Sequence, residues 1–187
     1  MAKEQCPVLL DISNEDQCLE NFAGLGTVGY FFMKDDIDKS KLVANKNVYA
    51  WTEDTFKEGK GFFRVELKTG SQSFTGASLG QNKGFSITGQ QIIQVVNEHV
   101  AQFCRALNNT DWGLIIADGE SGWQIMYSPT YKVTMDANAV QTATGAAASD
   151  DRQTTIAPVL QPVKYPNLFV EFPEGKTPED FLQKDAA

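Results

Sequence analysis

The sequence predicts a mainly β fold with one long α-helix, and three observations carry that prediction. Strand-sized apolar or alternating runs recur along the chain, bounded by Gly, Pro, Asn and Asp. One stretch, 89–108, has a helical period instead of a two-residue one. At 112–129, WGLIIADGESGWQIMYSP sets two apolar segments around an Asp- and Gly-rich turn, which reads as a hairpin.

The elements follow in chain order. Residues 1–29 are weakly patterned, end in GLGTVG and predict an N-terminal arm that behaves as a flexible bend or interface loop. YFFM and NVYAWTED read as strands separated by the charged KDDIDKSK. In GFFRVELKTG, Phe63, Val65 and Leu67 alternate with Arg64, Glu66 and Lys68, giving a strand with one wet face near an edge or outer surface. SQSFTGASLGQNKG is polar and punctuated by glycine, so it predicts a turn or long loop before a short strand, FSIT.

The helix is expected over Gly89 to Asn108. There Ile92, Ile93, Val96, Val100, Phe103, Cys104 and Leu107 share one stripe, while Gln90, Gln91, Gln94, Glu98, Gln102 and Arg105 face away. Thr88 is its expected N-cap and Asn108 or Asn109 its stop. In the hairpin, Trp112, Leu114 and Ile116 face one way and Ile115 and Ala117 the other. A strand apolar on both faces is central, covered here by the helix on one side and a second sheet on the other. TYKVTMDANAV and QTTIAPVLQ form a further antiparallel pair bridged by QTATGAAASDDR, and YPNLFVEF closes the strands. In the tail GKTPEDFLQKDAA, Thr177, Pro178 and Asp180 supply a cap, a first-turn proline and a capping-box acid. The expected organisation is therefore an arm (1–29), one core domain (30–170) and an extension (171–187) whose short helix docks elsewhere.

Composition narrows the function. The formal charge is -8 with no cluster of Lys or Arg, so the long-range field repels polyanions and argues against a protein that grips nucleic acid. Cys6, Cys18 and Cys104 are odd in number and widely spaced, which fits neither a disulfide framework nor a zinc site and reads as reduced thiols. The run Val8 to Leu10 is too short for a signal-peptide core, and no run is long enough to span a membrane. Synthesis in the cytosol without an export signal is the expectation.

Five features invite chemistry, and each has a plainer reading. GLGTVG matches G-x-G-x-x-G but neither follows a strand nor opens a helix, as a dinucleotide site requires. Asp36, Asp38 and Ser40 have calcium-loop spacing, yet Lys41 stands where the turn needs glycine and Asn47 where a bidentate Glu belongs. Asn108, Asn109 and Thr110 form a glycosylation sequon that reads better as a helix stop. His99, the one histidine, reads as a boundary residue of helix packing, with no nucleophile motif beside it. Asp118 and Glu120 would be an acid and base pair only if their surroundings drove their pKa values apart, and a hairpin turn leaves them exposed. No catalytic, cofactor-binding or metal-binding residue is assigned, and the chain is not read as an enzyme.

FSITGQQIIQVVNEHVAQFCRAL leads straight into DWGLIIADGESGWQIMYSP and then YKVTMDANAVQTATGAAASDDRQTTIAPVLQ. This order of strand, outer helix, acidic-turned hairpin and strand pair, over 85–165, resembles the tail tube (major tail) proteins of long-tailed bacteriophages, related to the tube proteins of contractile injection systems. The resemblance implies a β-sandwich or half-open barrel with one flanking helix, six copies closing their inner sheets into a ring, and rings stacking into a tube that conducts phage DNA. It implies as partners further copies of the chain, other tail proteins, and double-stranded DNA that passes without specific binding. The location implied is the virion tail, after synthesis in the bacterial host cytoplasm. The arm, the loops near 31–60 or 70–84 and the carboxyl-terminal extension would stack the rings. That extension is longer and more acidic than the minimal fold needs, which leaves tail terminator, head-tail connector and capsid-associated roles open. A β-sandwich carbohydrate-binding module using Trp51, Trp112 or Trp123 as a sugar platform is a further alternative, and a small hydrolase using Asp118 or Glu120 another.

Overall fold

The computed structural model describes residues 25–119, 122–145 and 150–183. The expectations for 1–24, for Cys6 and Cys18, for Glu120, for 146–149 of the bridge 141–152 and for 184–187 of the extension fall outside those residues. The described chain is mainly β, with two sheets and one α-helix.

The seven-stranded sheet is ordered β2 (Val43–Asn45), β3 (Val48–Ala50), β11 (Phe169–Glu171), β8 (Gly122–Met126), β7 (Trp112–Asp118), β1 (Leu25–Met33), β4 (Phe63–Glu66). The predicted hairpin is β7 and β8, with Leu114 opposite Met126 and Asp118 opposite Gly122. β7 is internal and buried from Trp112 to Ile116, as its doubly apolar pattern requires. The alternating strand, β4, lies at the sheet's edge.

Pairing assigns the two faces of this sheet. Phe31 opposite Leu114 and Met33 opposite Trp112 share one face, and Tyr30 opposite Ile115 and Phe32 opposite Gly113 the other. The first face carries both the helix and the second sheet. Phe103 of the helix meets the Phe31 ring edge-on at 5.0 Å. A Cβ built on Gly89 of the second sheet would lie 3.1 Å from Met126 Cε, so the sheets touch there. The other face is covered by chain that is mostly irregular. Trp51, Phe56, Phe62, Phe172 and Phe181 assemble over Tyr30, Phe32 and Trp123 in a continuous set of edge-on and tilted ring contacts. The expectation of a helix on one side and a sheet on the other is thus corrected. An aromatic layer from residues 34–62 and 172–183 supplies the second cover, since enough Phe and Trp can bury a sheet face without regular structure.

The four-stranded sheet is ordered β5 (Ser73–Ser78), β6 (Phe85–Ile93), β10 (Gln153–Val163), β9 (Val133–Ala143). Three element assignments change. β6 runs on through Gly89 to Ile93, so the helix α1 begins only at Glu98 and ends at Asn109. Its N-cap is Asn97, whose side chain accepts a hydrogen bond from Val100 N at 2.9 Å; Thr88 lies inside β6. Ile92 and Ile93 fit a helical stripe and a strand equally well, and their β-branching together with Gly89 favours the strand. The stretch read as a loop contains β5, and Leu25 to Gly29 of the presumed arm form the first half of β1.

The tail is a further correction. The short helix exists as a single 3-10 turn, Pro178–Phe181, with Thr177 and Asp180 completing the capping box. It packs on its own body: Phe62 N donates to Phe181 O and Gln183 N to Phe62 O. Tyr30 OH donates to Glu179 Oε1 at 2.6 Å, and Arg64 Nε stands 3.1 Å from the same oxygen. Gly61 lets the tail pass this closely, because a Cβ there would lie 2.4 Å from Gln183 N.

Candidate functional site

The residues that invite chemistry do not converge. His99 is exposed in the first turn of α1, not at mid-helix beside an apolar stripe. Asp118, half-buried at the end of β7, accepts from Gln124 Nε2 at 2.7 Å. Asp38 accepts from Ser40 N and Oγ, which holds its carboxyl below the usual range, and Asp36 pairs with Lys60 at 3.2 Å. The triad of calcium-loop spacing is thus divided between a local turn and an ion pair. Among the described residues no group of three His, Cys, Asp or Glu side chains is placed to hold a metal ion. Burial raises the Cys104 thiol. At the sequon, Asn109 Nδ2 donates to Arg105 O, Thr110 Oγ1 to Ala106 O and Trp112 Nε1 to Leu107 O, so three carbonyls of the last helical turn are satisfied.

The three tryptophans do not share one exposed surface. Trp51 and Trp112 are 2% and 1% exposed, and half-buried Trp123 is enclosed by Tyr30 and Phe172. Of GLGTVG, residues Leu25 to Gly29 lie in β1, paired with β7 and β4, so they are a packed strand and not a phosphate loop.

The geometry singles out two surfaces instead. The first is the four-stranded sheet. Among the described residues its outer strands, β5 and β9, each pair with one neighbour only. The 37 residues of its four strands include one charged side chain, Asp136, in a chain that is 21% charged. Native proteins normally guard open edges with short strands, charges or proline. The seven-stranded sheet does so: β2 has three residues, and β4 has four, with Arg64 and Glu66 exposed. β9 is an edge of eleven residues, interrupted only by a bulge where Asn138 takes a positive φ of 67°. The solvent face of this sheet presents Thr75, Thr88, Gln90, Thr134, Asp136 and Gln141.

The second surface is a groove of about 520 Å³ at the end of the sandwich where β8 exits. Tyr49, Tyr131, Tyr165 and Leu168 supply apolar walls, Lys46 and Lys164 bring positive charge, and none of the lining residues is acidic. One wall is fixed from within. Thr130 N and Tyr131 N donate to Ser128 Oγ, and the buried Lys34 ammonium donates to Tyr131 O at 3.0 Å, with its pKa lowered by desolvation. Neither surface was legible in the sequence. The absence of charge from four separate strands becomes a feature only once they are known to share a sheet, and the groove joins residues from 44 to 168.

No family model, no curated protein and no solved structure matches the chain.

Proposed function

We propose that the chain is a structural subunit that assembles with copies of itself, side by side through the four-stranded sheet, into a ring of the tail-tube kind its sequence resembles. Such rings have six copies in that family and stack into a conduit for phage DNA. The observation that carries this reading is the four-stranded sheet, whose strands hold a single charge, Asp136, with the eleven-residue β9 as an open edge on one side and β5 on the other. Edge strands with unpaired N–H and C=O groups are templates for another strand, and pairing β9 of one copy with β5 of the next gives a head-to-tail interface that a rotation can close. A half-open barrel within each subunit, completed by its neighbours, is the corresponding fold.

The solvent face of the same sheet suits a lumen. A wall of hydroxyl and amide side chains without Lys or Arg offers phosphates no cation to bind, so DNA slides past it. The charge of the body supports this less strongly than the whole-chain value: the described residues carry 14 Lys and Arg against 17 Asp and Glu, and residues 1–24 supply a net charge of -4. Absence of cations from the wall, more than an acidic field over the whole chain, is what the reading requires.

Negative-stain electron microscopy of the purified full chain tests it. Rings or tubes of uniform diameter are expected, with duplex DNA retained negligibly even at low salt. Monodisperse single subunits at high protein concentration contradict the ring, and tight, salt-sensitive DNA binding contradicts the conduit.

A further inference from the structure

We infer that the cleft between residues 34–39 and Lys57 binds a small oxyanion of the phosphate type, with the buried Lys34 ammonium as its main ligand. The source is inorganic phosphate or the head of a phosphate monoester. The cleft lies in the cover of the seven-stranded sheet, on the side away from the four-stranded sheet, so the inference stands apart from the ring reading.

Lys34 follows β1 directly, and the alternation that buries Tyr30 and Phe32 carries its side chain onto the same face. It is 4% exposed, yet its Nζ has one protein acceptor, Tyr131 O at 3.0 Å, and the Tyr127 ring at 6.0 Å. An ammonium carries three N–H donors, and that bond uses one. Buried charges are normally paired. Here the expected order is reversed. Lys60, Lys68 and Lys132, all far more open to solvent, have Asp36, Asp151 and Asp111 as partners, whereas Lys34 forms no ion pair among the described residues. Burial, then the like charge of Lys39, lower its pKa despite Asp111 and Asp35, as befits a cation short of negative charge.

The cleft measures about 340 Å³ and is lined by Lys34, Asp35, Ile37, Asp38, Lys39 and Lys57. Its walls are set in advance. Ile37 bridges to Phe56, Asp38 N donates to Thr55 O and Lys57 N to Asp36 O, which holds the two segments side by side. Lys57 Nζ donates to Asp35 O, so its charge stays at the cleft. Of the two acids, Asp38 is committed to Ser40 N and Oγ. Three ammonium groups against two carboxylates leave the lining at +1 in a chain of net charge -8. Ammonium-to-phosphate hydrogen bonds are of the strong, charge-assisted kind, and burial of Lys34 spares them much of the weakening that water imposes. The volume falls in the ~300–1,000 Å³ range of ligand clefts and leaves space for the organic body of an ester beside its phosphate. A site for a single phosphate makes too few contacts to retain duplex DNA.

Calorimetric titration of the full chain with inorganic phosphate, in a phosphate-free buffer at fixed ionic strength, tests the inference. A single saturable site per chain is expected, and saturation separates it from the general stabilisation that phosphate gives by exclusion from protein surfaces. Lys34→Met should weaken binding by about tenfold or more, as loss of a charge-assisted hydrogen bond implies. Lys39→Gln/Lys57→Gln should weaken it several-fold, and Lys83→Gln, on the remote β5–β6 turn, should leave it unchanged. Glycerol phosphate titrated in parallel separates the sources: tighter binding than inorganic phosphate assigns the site to a monoester, equal or weaker binding to the free ion. No saturable binding by the wild-type chain overturns the inference, and so does binding that a folded Lys34→Met leaves intact. Circular dichroism and melting establish that this variant is folded. If it is not, Lys39→Gln/Lys57→Gln decides, and unaltered affinity there overturns the inference.

Discussion

Replacing Phe172 by alanine separates a tail that is part of the core from one that docks elsewhere. The Phe172 ring lies 5.8 Å from Trp51, 5.9 Å from Trp123, 5.9 Å from Phe181 and 6.4 Å from Phe62, centroid to centroid. Truncating a fully buried Phe to Ala costs about 3–5 kcal/mol. Phe172 is half-buried, so roughly half of that, ~2 kcal/mol, is expected from lost burial and packing. In a chain of 187 residues each 1 kcal/mol lowers Tm by about 2–4 °C, giving a shift of ~4–8 °C. Urea unfolding followed by tryptophan fluorescence is the assay, because Trp51 and Trp123 both border the site. Phe181→Ala should cost less, and the double substitution should be non-additive, since the two rings touch. An unchanged midpoint for Phe172→Ala refutes the docking, since substitutions on an unpacked tail stay within about 0.5 kcal/mol.

Three further outcomes are expected. Gly113→Ala places a Cβ about 2.3 Å from Phe32 Cζ, so it should destabilise by ~1–3 kcal/mol in thermal melts, and Phe32→Leu in the same chain should recover part of the loss. Leu107→Asp should destabilise far more than Val100→Asp, because Leu107 is 2% exposed and Val100 only half-buried; equal melting of the two would mean that α1 is rotated. Burial raises the pKa of Tyr30, Tyr49 and Tyr127, with Tyr49 pushed up to about 12, while the unfolded chain titrates near 10. The folded state then holds protons that the unfolded state has lost. The stability from each is intact below about pH 10 and falls by up to ~1.4 kcal/mol per pH unit as the pH rises towards the folded value. Tyr49→Phe should flatten that alkaline decline, read as urea midpoints between pH 9 and 12.

What the sequence made legible was local. The β7–β8 hairpin could be read because its apolar residues occupy both strand faces and Asp118 and Gly119 mark the turn. The 3-10 turn was legible because Thr177, Pro178 and Asp180 each have a positional role. The first half of the expected helix was misread because Ile92 and Ile93 satisfy two periodicities, and a packing decision about 60 residues away, the pairing of β6 with β10, chooses between them. Docking of the tail was hidden for the same reason. Tyr30 and Glu179 are 149 residues apart, and nothing in the segment TPEDFL marks Phe181 for its own body. In β1, Gly26 and Gly29 disguise a strand as a loop. The open-edged sheet and the groove were out of reach for the sequence, since both are properties of elements brought together by the fold.

The central claim is that β9 and β5 join copies of the chain, and a native mass measurement tests it most directly. The wild-type chain is compared with Gln141→Lys/Ala143→Lys, which adds two cations to the exposed end of β9 without touching a buried side chain. The account predicts one uniform assembly of several 20.6 kDa chains for the wild type, and a variant with unaltered circular dichroism and melting that stays at or near the mass of one chain. A wild-type chain that stays at 20.6 kDa at high concentration, or a variant that assembles to the wild-type mass, contradicts it.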